Sequence, residues 1–182
     1  MQRTKAETVE KFYEGFLQEF PDWNAIAVAD ISKIEEYLKP IGLYRQRAKR
    51  LKNLAMEMVS RNEILPMERN ELEELPFFGQ YIVNAILLQI FHIPSPLMDV
   101  NMSRVLERYF GKRKLADIRY DPYLQKLAYQ VVHHKFSKEI NWAILDFSAS
   151  ICKAKPLCGK CFLSSNCNFY QNAIKNSTPK LK

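Results

Sequence analysis

Apolar residues in this chain recur at helical spacing rather than at every second position. The pattern predicts helices at about 5–19, 31–38, 44–60, 67–74, 80–91, 101–110, 121–134 and 138–151. In the stretch 44–60, Leu51, Leu54, Ala55 and Met58 fall on one side of a helix and the basic residues fall on the other. Pro21, Pro40, Pro66, Pro76, Pro94 and Pro96 punctuate the joints, since proline lacks the N–H that continues a helix. Strands have almost no support, no repeat is visible, and a polar tail follows Asn172. The expected class is all-α.

One joint carries more than structure: ELEELPFFGQYIVNAILLQIF. A short charged helix runs into Leu75–Pro76, turns through Phe77–Phe78–Gly79, and re-enters a helix that is apolar almost all round, as a buried central helix would be. This is a helix-hairpin-helix pattern. The first N–H groups of its second helix lack partners within the helix, and together with the positive end of the dipole they suit a phosphate. Similar hairpins also occur in purely structural bundles.

Composition narrows the class. A chain of 182 residues, 47% hydrophobic and 12% aromatic, fills a core without disulfide staples. Its richest apolar run, Tyr81 to Phe91, is shorter than the roughly 20 residues that span a bilayer, so a soluble protein is expected. The net charge of +7 is clustered at Arg45, Arg47, Lys49, Arg50 and Lys52, at Lys112, Arg113 and Lys114, and at Lys153, Lys155 and Lys160. Each cluster alone reads as a solvated helix face. Together they point to a polyanionic partner, which basic residues bind by releasing its counterions.

The four cysteines fall in one window, CKAKPLCGKCFLSSNC, as Cys152, Cys158, Cys161 and Cys167. Thiols packed so closely in a chain without a secretory signal fit a cytosolic metal site better than disulfides. Spacing alone leaves a 4Fe-4S cluster and a structural zinc both open. Asp99 follows a proline-bounded turn and precedes a helix. By itself it reads as an N-cap, and otherwise as a carboxylate projecting into a cleft.

Taken together, the segments LPFFGQYIVNAIL, MDVNMSRVLERYFG and IGLYRQRAKRLKNLA, and LDFSASIC followed by the cysteine knot, resemble the endonuclease III superfamily of helix-hairpin-helix DNA glycosylases. The resemblance covers essentially the whole chain. It implies a six-helix barrel lobe carrying the hairpin, at 1–95, and an iron-sulfur cluster lobe, at 96–182. A base flipped from mismatched double-stranded DNA would enter the cleft between them. Asp99 matches the family's catalytic aspartate, and Cys152, Cys158, Cys161 and Cys167 match its 4Fe-4S ligands.

Position 81 divides that family. Members that also cut the strand carry a lysine there, which forms a Schiff base with the sugar. Tyr81 cannot, and tyrosine here is similar to thymine-mismatch glycosylases of the archaeal type. The resemblance therefore implies a monofunctional enzyme removing thymine or uracil opposite guanine, acting as a monomer in a prokaryotic cytoplasm. A poorly paired base is also the cheapest to extrude. Gln2, Arg3 and Leu43 match positions that fill the gap left by the flipped base, and Arg45 and Arg47 match phosphate or orphan-guanine contacts. Phe77 and Gly79 lie where the hairpin meets a phosphate. Asp146 is expected to be a structural hydrogen-bonding residue, and His92, His133 and His134 to be structural.

Three departures stand out. The first cysteine loop is one residue shorter than usual. Phe77 replaces the first glycine of the usual LPGVG hairpin, which is expected to remove the freedom for positive φ and to add bulk near the phosphate. The sequence also starts part-way through what is ordinarily an early helix, read as an N-terminal truncation that lacks a glutamate used in adenine recognition. Two rival readings remain: an adenine glycosylase of the same fold acting on A:8-oxoG or A:G, and a catalytically silent DNA-binding module.

Overall fold

Aspartate side chains start four helices of this protein by accepting the first free backbone N–H groups. Asp22 accepts from Ala25 at 2.7 Å to open α2 (Trp23–Val28), and Asp30 accepts from Ser32 at 3.2 Å to open α3 (Ile31–Leu38). Asp99 opens α7 (Val100–Phe110), and the buried Asp121 opens α8 (Pro122–Val132). The structure, a computed structural model, describes residues 6–177. The other helices are α1 (Ala6–Glu19), α4 (Tyr44–Ser60), α5 (Arg69–Glu74), α6 (Gln80–Gln89), α9 (Ser137–Ser150) and α10 (Asn168–Ser177). Among the described residues there is no strand, and no helix is long and apolar enough to cross a membrane.

The chain forms two compact units that part between Gly79 and Gln80, inside the hairpin turn. In the first unit α4 is the spine, packed on α2 and α3. Its buried face is Ala48, Leu54, Ala55 and Met58, with Leu51 half-buried at the margin, as its amphipathic pattern requires. Phe20, Ile26, Ile34 and Leu38 close the core beside it. Each such side chain removed from water stabilises the fold by about 1.5–3 kcal/mol. Glu19 ties α1 to α3 through an ion pair with Lys33 and a 3.0 Å hydrogen bond from the Tyr37 hydroxyl.

In the second unit α7 is central, packed on α8, α9 and α10, with α6 against α9. Met98, Met102, Leu106, Leu124, Ala128 and Val132 form the core.

Several elements differ from expectation. Helix α2 is absent from the predicted set because six residues are too few to show a period. Helix α10 runs through the supposed polar tail, where tertiary packing on α7 supplies what its weakly apolar sequence does not. Helix α6 ends at Gln89 rather than at residue 91. His92 takes a left-handed φ of 58°, and the Ile93 N–H turns back to the Leu87 carbonyl at 2.8 Å. Nor is α6 buried all round: Val83, Asn84, Leu87 and Leu88 are interior, while Tyr81 is exposed.

Candidate active site

Asp99 and Tyr81 belong to the same unit, and the charge of Asp99 acts on the Tyr81 phenol. Asp99 is half-buried and held by three donors. Its Oδ1 accepts from the N–H groups of Asn101 at 2.9 Å and Met102 at 2.8 Å, and its Oδ2 accepts from the Asn101 side-chain amide at 2.7 Å. The capping role and the functional role are thus compatible, because the cap fixes the direction in which the carboxylate points. Tyr81 keeps 37% of its surface open. Burial raises its pKa above the usual tyrosine value and the nearby Asp99 charge raises it further, so the phenol is neutral around pH 7.

The backbone leading into Asp99 is clamped by two buried asparagines. Asn141 accepts from the Leu97 N–H at 2.7 Å and donates to the carbonyls of Ser95 and Ser137. Asn84 donates to the Pro96 carbonyl at 2.7 Å. Beyond Asp99 the hydrogen bonds continue. Arg104 donates to Asn101 Oδ1 at 3.0 Å and, through Nε, to the Cys152 carbonyl at 2.9 Å. One turn on, Arg108 donates to the Cys152, Lys153 and Ala154 carbonyls and lies 3.5 Å from the Cys152 sulfur.

Cys152, Cys158, Cys161 and Cys167 are free thiols that line one cavity of about 270 Å³. Val105, Ile144, Phe147, Leu163 and Phe169 supply its apolar wall. Burial raises the Cys158 thiol pKa, and Cys167, Cys161 and Cys152 raise it further, which places those three within electrostatic reach of Cys158. Four thiolates in an apolar pocket require a positively charged group between them. A tetrahedral zinc with bonds of about 2.3 Å would draw the sulfurs to roughly 4 Å from one another. Among the described residues no three Cys, His, Asp or Glu side chains close on a single ion in that way. The four thiols and their apolar wall are the donor set that a thiolate-bound metal group would use.

The other expected contacts are spread more widely. Gln2 and Arg3 lie outside the described residues. Leu43 is 57% exposed, precedes α4 and has a left-handed φ of 48°, directly after Gly42 at 70°. Arg45 is exposed, with its guanidinium 5.7 Å from the Tyr44 ring centre, and Arg47 is half-buried. Phe77 corrects the expectation for the hairpin: it has not removed the positive φ but adopts it, at 74°, with 37% of its surface open. A left-handed non-glycine residue costs about 1–2 kcal/mol, so Leu43 and Phe77 both bear strain. Gly79 leaves open space where a side chain would stand.

Asp146 is exposed on α9, which does not suit the structural hydrogen-bonding role expected of it. Arg113 is committed to Glu107 and to the carbonyls of Leu115 and Ala116, and Lys52 donates to the Ala29 carbonyl. Neither is an uncommitted cation.

Residues 1–135 match the HhH-GPD family, described as "HhH-GPD superfamily base excision DNA repair protein". The chain belongs to this superfamily. Among HhH-GPD relatives, the thymine-DNA glycosylase of Aeropyrum pernix is 36% identical over 94% of this chain and 79% of its own length. The thymine/uracil-DNA glycosylase of Pyrobaculum aerophilum is 37% identical, covering 94% of this chain and 77% of its own. A solved thermostable thymine-DNA glycosylase superposes with a TM-score of 0.88 at 32% identity, over 94% of this chain and 80% of that one.

For an HhH-GPD protein the sequence reading missed Asn84, Asn141, Asn101, Arg104 and Arg108. One signal was available. Arg104 and Arg108 are four apart on an amphipathic helix, so both guanidinium groups reach the same side, towards the cysteine loop. Asn84 and Asn141 gave none, because an asparagine inside a helix reads as solvent-facing until its neighbours are known.

Proposed function

We propose that this protein is a monofunctional DNA glycosylase that removes thymine or uracil opposite guanine from double-stranded DNA. The observation that carries this reading is a fixed carboxylate, Asp99, acting on a neutral phenol, Tyr81, at the position where a strand-cutting enzyme needs an amine. The names of the relatives support the choice of base.

The reaction breaks the bond between C1′ and the pyrimidine nitrogen, and the electron pair leaves with the base. The sugar becomes oxocarbenium-like, and Asp99 stabilises that positive charge. Water then attacks C1′ and gives up a proton, with Asp99 as its acceptor. Tyr81, protonated throughout, donates a hydrogen bond and walls the pocket. Leu43 fills the gap in the duplex, Arg45 and Arg47 contact phosphates, and Phe77 and Gly79 lie at the hairpin.

We further propose that Cys152, Cys158, Cys161 and Cys167 hold a 4Fe-4S cluster, which supplies structural support when bound. The basic Lys153, Lys155 and Lys160 beside it face the DNA backbone. On this reading 1–95 and 96–182 serve as the DNA-gripping and cluster-bearing parts, and a single chain suffices.

The test is a panel of labelled G:T, G:U and A:8-oxoG duplexes incubated with the protein and developed with and without hot alkali. Pyrimidine release opposite guanine, with strands cut only after alkali, is the expected result. Release from the A:8-oxoG duplex alone would transfer the protein to the adenine branch, and binding without any release would make it a silent module.

A further inference from the structure

Among the described residues five non-glycine residues have positive φ: Leu43, Asn62, Glu63, Phe77 and His92. Three carry polar side chains. Leu43 and Phe77 are large and apolar, and both are exposed. The fold alone gives no reason for Phe77. Its φ of 74° is one that glycine adopts freely, and more than a third of its surface gains nothing from burial. A glycine would satisfy the turn without strain. Phe77 also lies three residues before Gln80, the first residue of the ten-residue α6, and two before Gly79, where the backbone is open to approach.

We propose that Phe77 is an affinity-determining DNA contact, its ring packing on the deoxyribose face next to the phosphate that the hairpin holds. This rests on the glycosylase reading and deepens it. A phosphate drawn to the start of α6 carries two sugars with it, and their flat, apolar C–H surfaces are what an exposed aromatic ring matches. Such a contact reads no base, so it adds affinity for any duplex. It also adds no charge, so it leaves the salt dependence of binding alone. Phe77 and Leu43 then form a pair: two strained apolar side chains, each on a turn leading into a helix, kept for what they touch in the complex.

The experiment compares wild type, Phe77→Gly and Phe77→Tyr in the full chain. It measures Kd for undamaged and G:U duplexes across a salt series, the melting temperature, and the single-turnover excision rate at saturating protein. Phe77→Gly should weaken binding to both duplexes at least fivefold with an unchanged salt slope. Its melting temperature should stay within about 4 °C of wild type or rise above it. Phe77→Tyr, which keeps the ring, should bind like wild type.

A weakening of less than fivefold overturns the proposal. So does a flattened salt slope or a melting temperature that falls further, since either makes the ring a structural part of the hairpin. Failure of the glycosylase reading shows separately, as a wild-type protein that binds but releases no base.

Discussion

Asp99 caps α7, and the proposed function gives the same side chain a second task that a single substitution separates from the first. Asn is as good an N-cap as Asp, so Asp99→Asn keeps the start of α7 and is expected to change stability by less than about 0.5 kcal/mol. It removes the charge, and excision should fall roughly 10²–10⁴-fold while duplex binding persists. Tyr81 offers a second reading of the same pair. A difference titration between wild type and Tyr81→Phe should show its phenol ionising above the ordinary value of 10.0. In Asp99→Asn the pKa should move part of the way back, because burial, the larger cause, is untouched. The sign follows from the folded value exceeding the unfolded one. The stability gained by keeping this phenol protonated is intact below about pH 10 and disappears as pH climbs through the folded value. Borohydride added during turnover should trap no covalent adduct with DNA, since no amine stands at position 81.

Helix α7 links Asp99 to the cysteine loop within the second unit. Its N-cap is Asp99, its first turn holds Asn101, and its next two turns present Arg104 and Arg108 to the backbone of the cysteine loop. Arg104→Leu removes the bond to Cys152 and leaves Asn101 without its partner, so excision should slow about tenfold while Kd for DNA holds. The amphipathic order of α7 was legible in the sequence, as were its start and the whole of α3 and α4, because those helices have clear caps or a clear apolar stripe. The bonds along its other face were not, because they connect residues more than forty positions apart that share no local pattern. The same limit hid Asn141, whose three bonds hold the turn before Asp99. Asn141→Ala should lower unfolding free energy by about 2 kcal/mol, read by urea melting, since it orphans the Leu97 N–H in the interior. Phe77 was misjudged for a different reason. A bulky residue does not forbid a left-handed backbone angle but only makes it costly.

At the scale of the molecule, the surplus of seven positive charges should make duplex binding steeply dependent on salt, with a log–log slope of about −4 or steeper between 50 and 200 mM. A flat salt response would disconnect the basic clusters from DNA. Purified protein should contain iron and acid-labile sulfide in equal amounts and no zinc, as elemental analysis would read. The four thiols all lie between residues 152 and 167, after α1 to α9 in chain order. On the proposed cluster reading, then, no ligand set exists during synthesis until α9 has left the ribosome, and the cluster would be added after those helices. On that same reading, iron shortage would leave unfinished only the loop from Cys152 to Cys167, the last ligand-bearing stretch to be made.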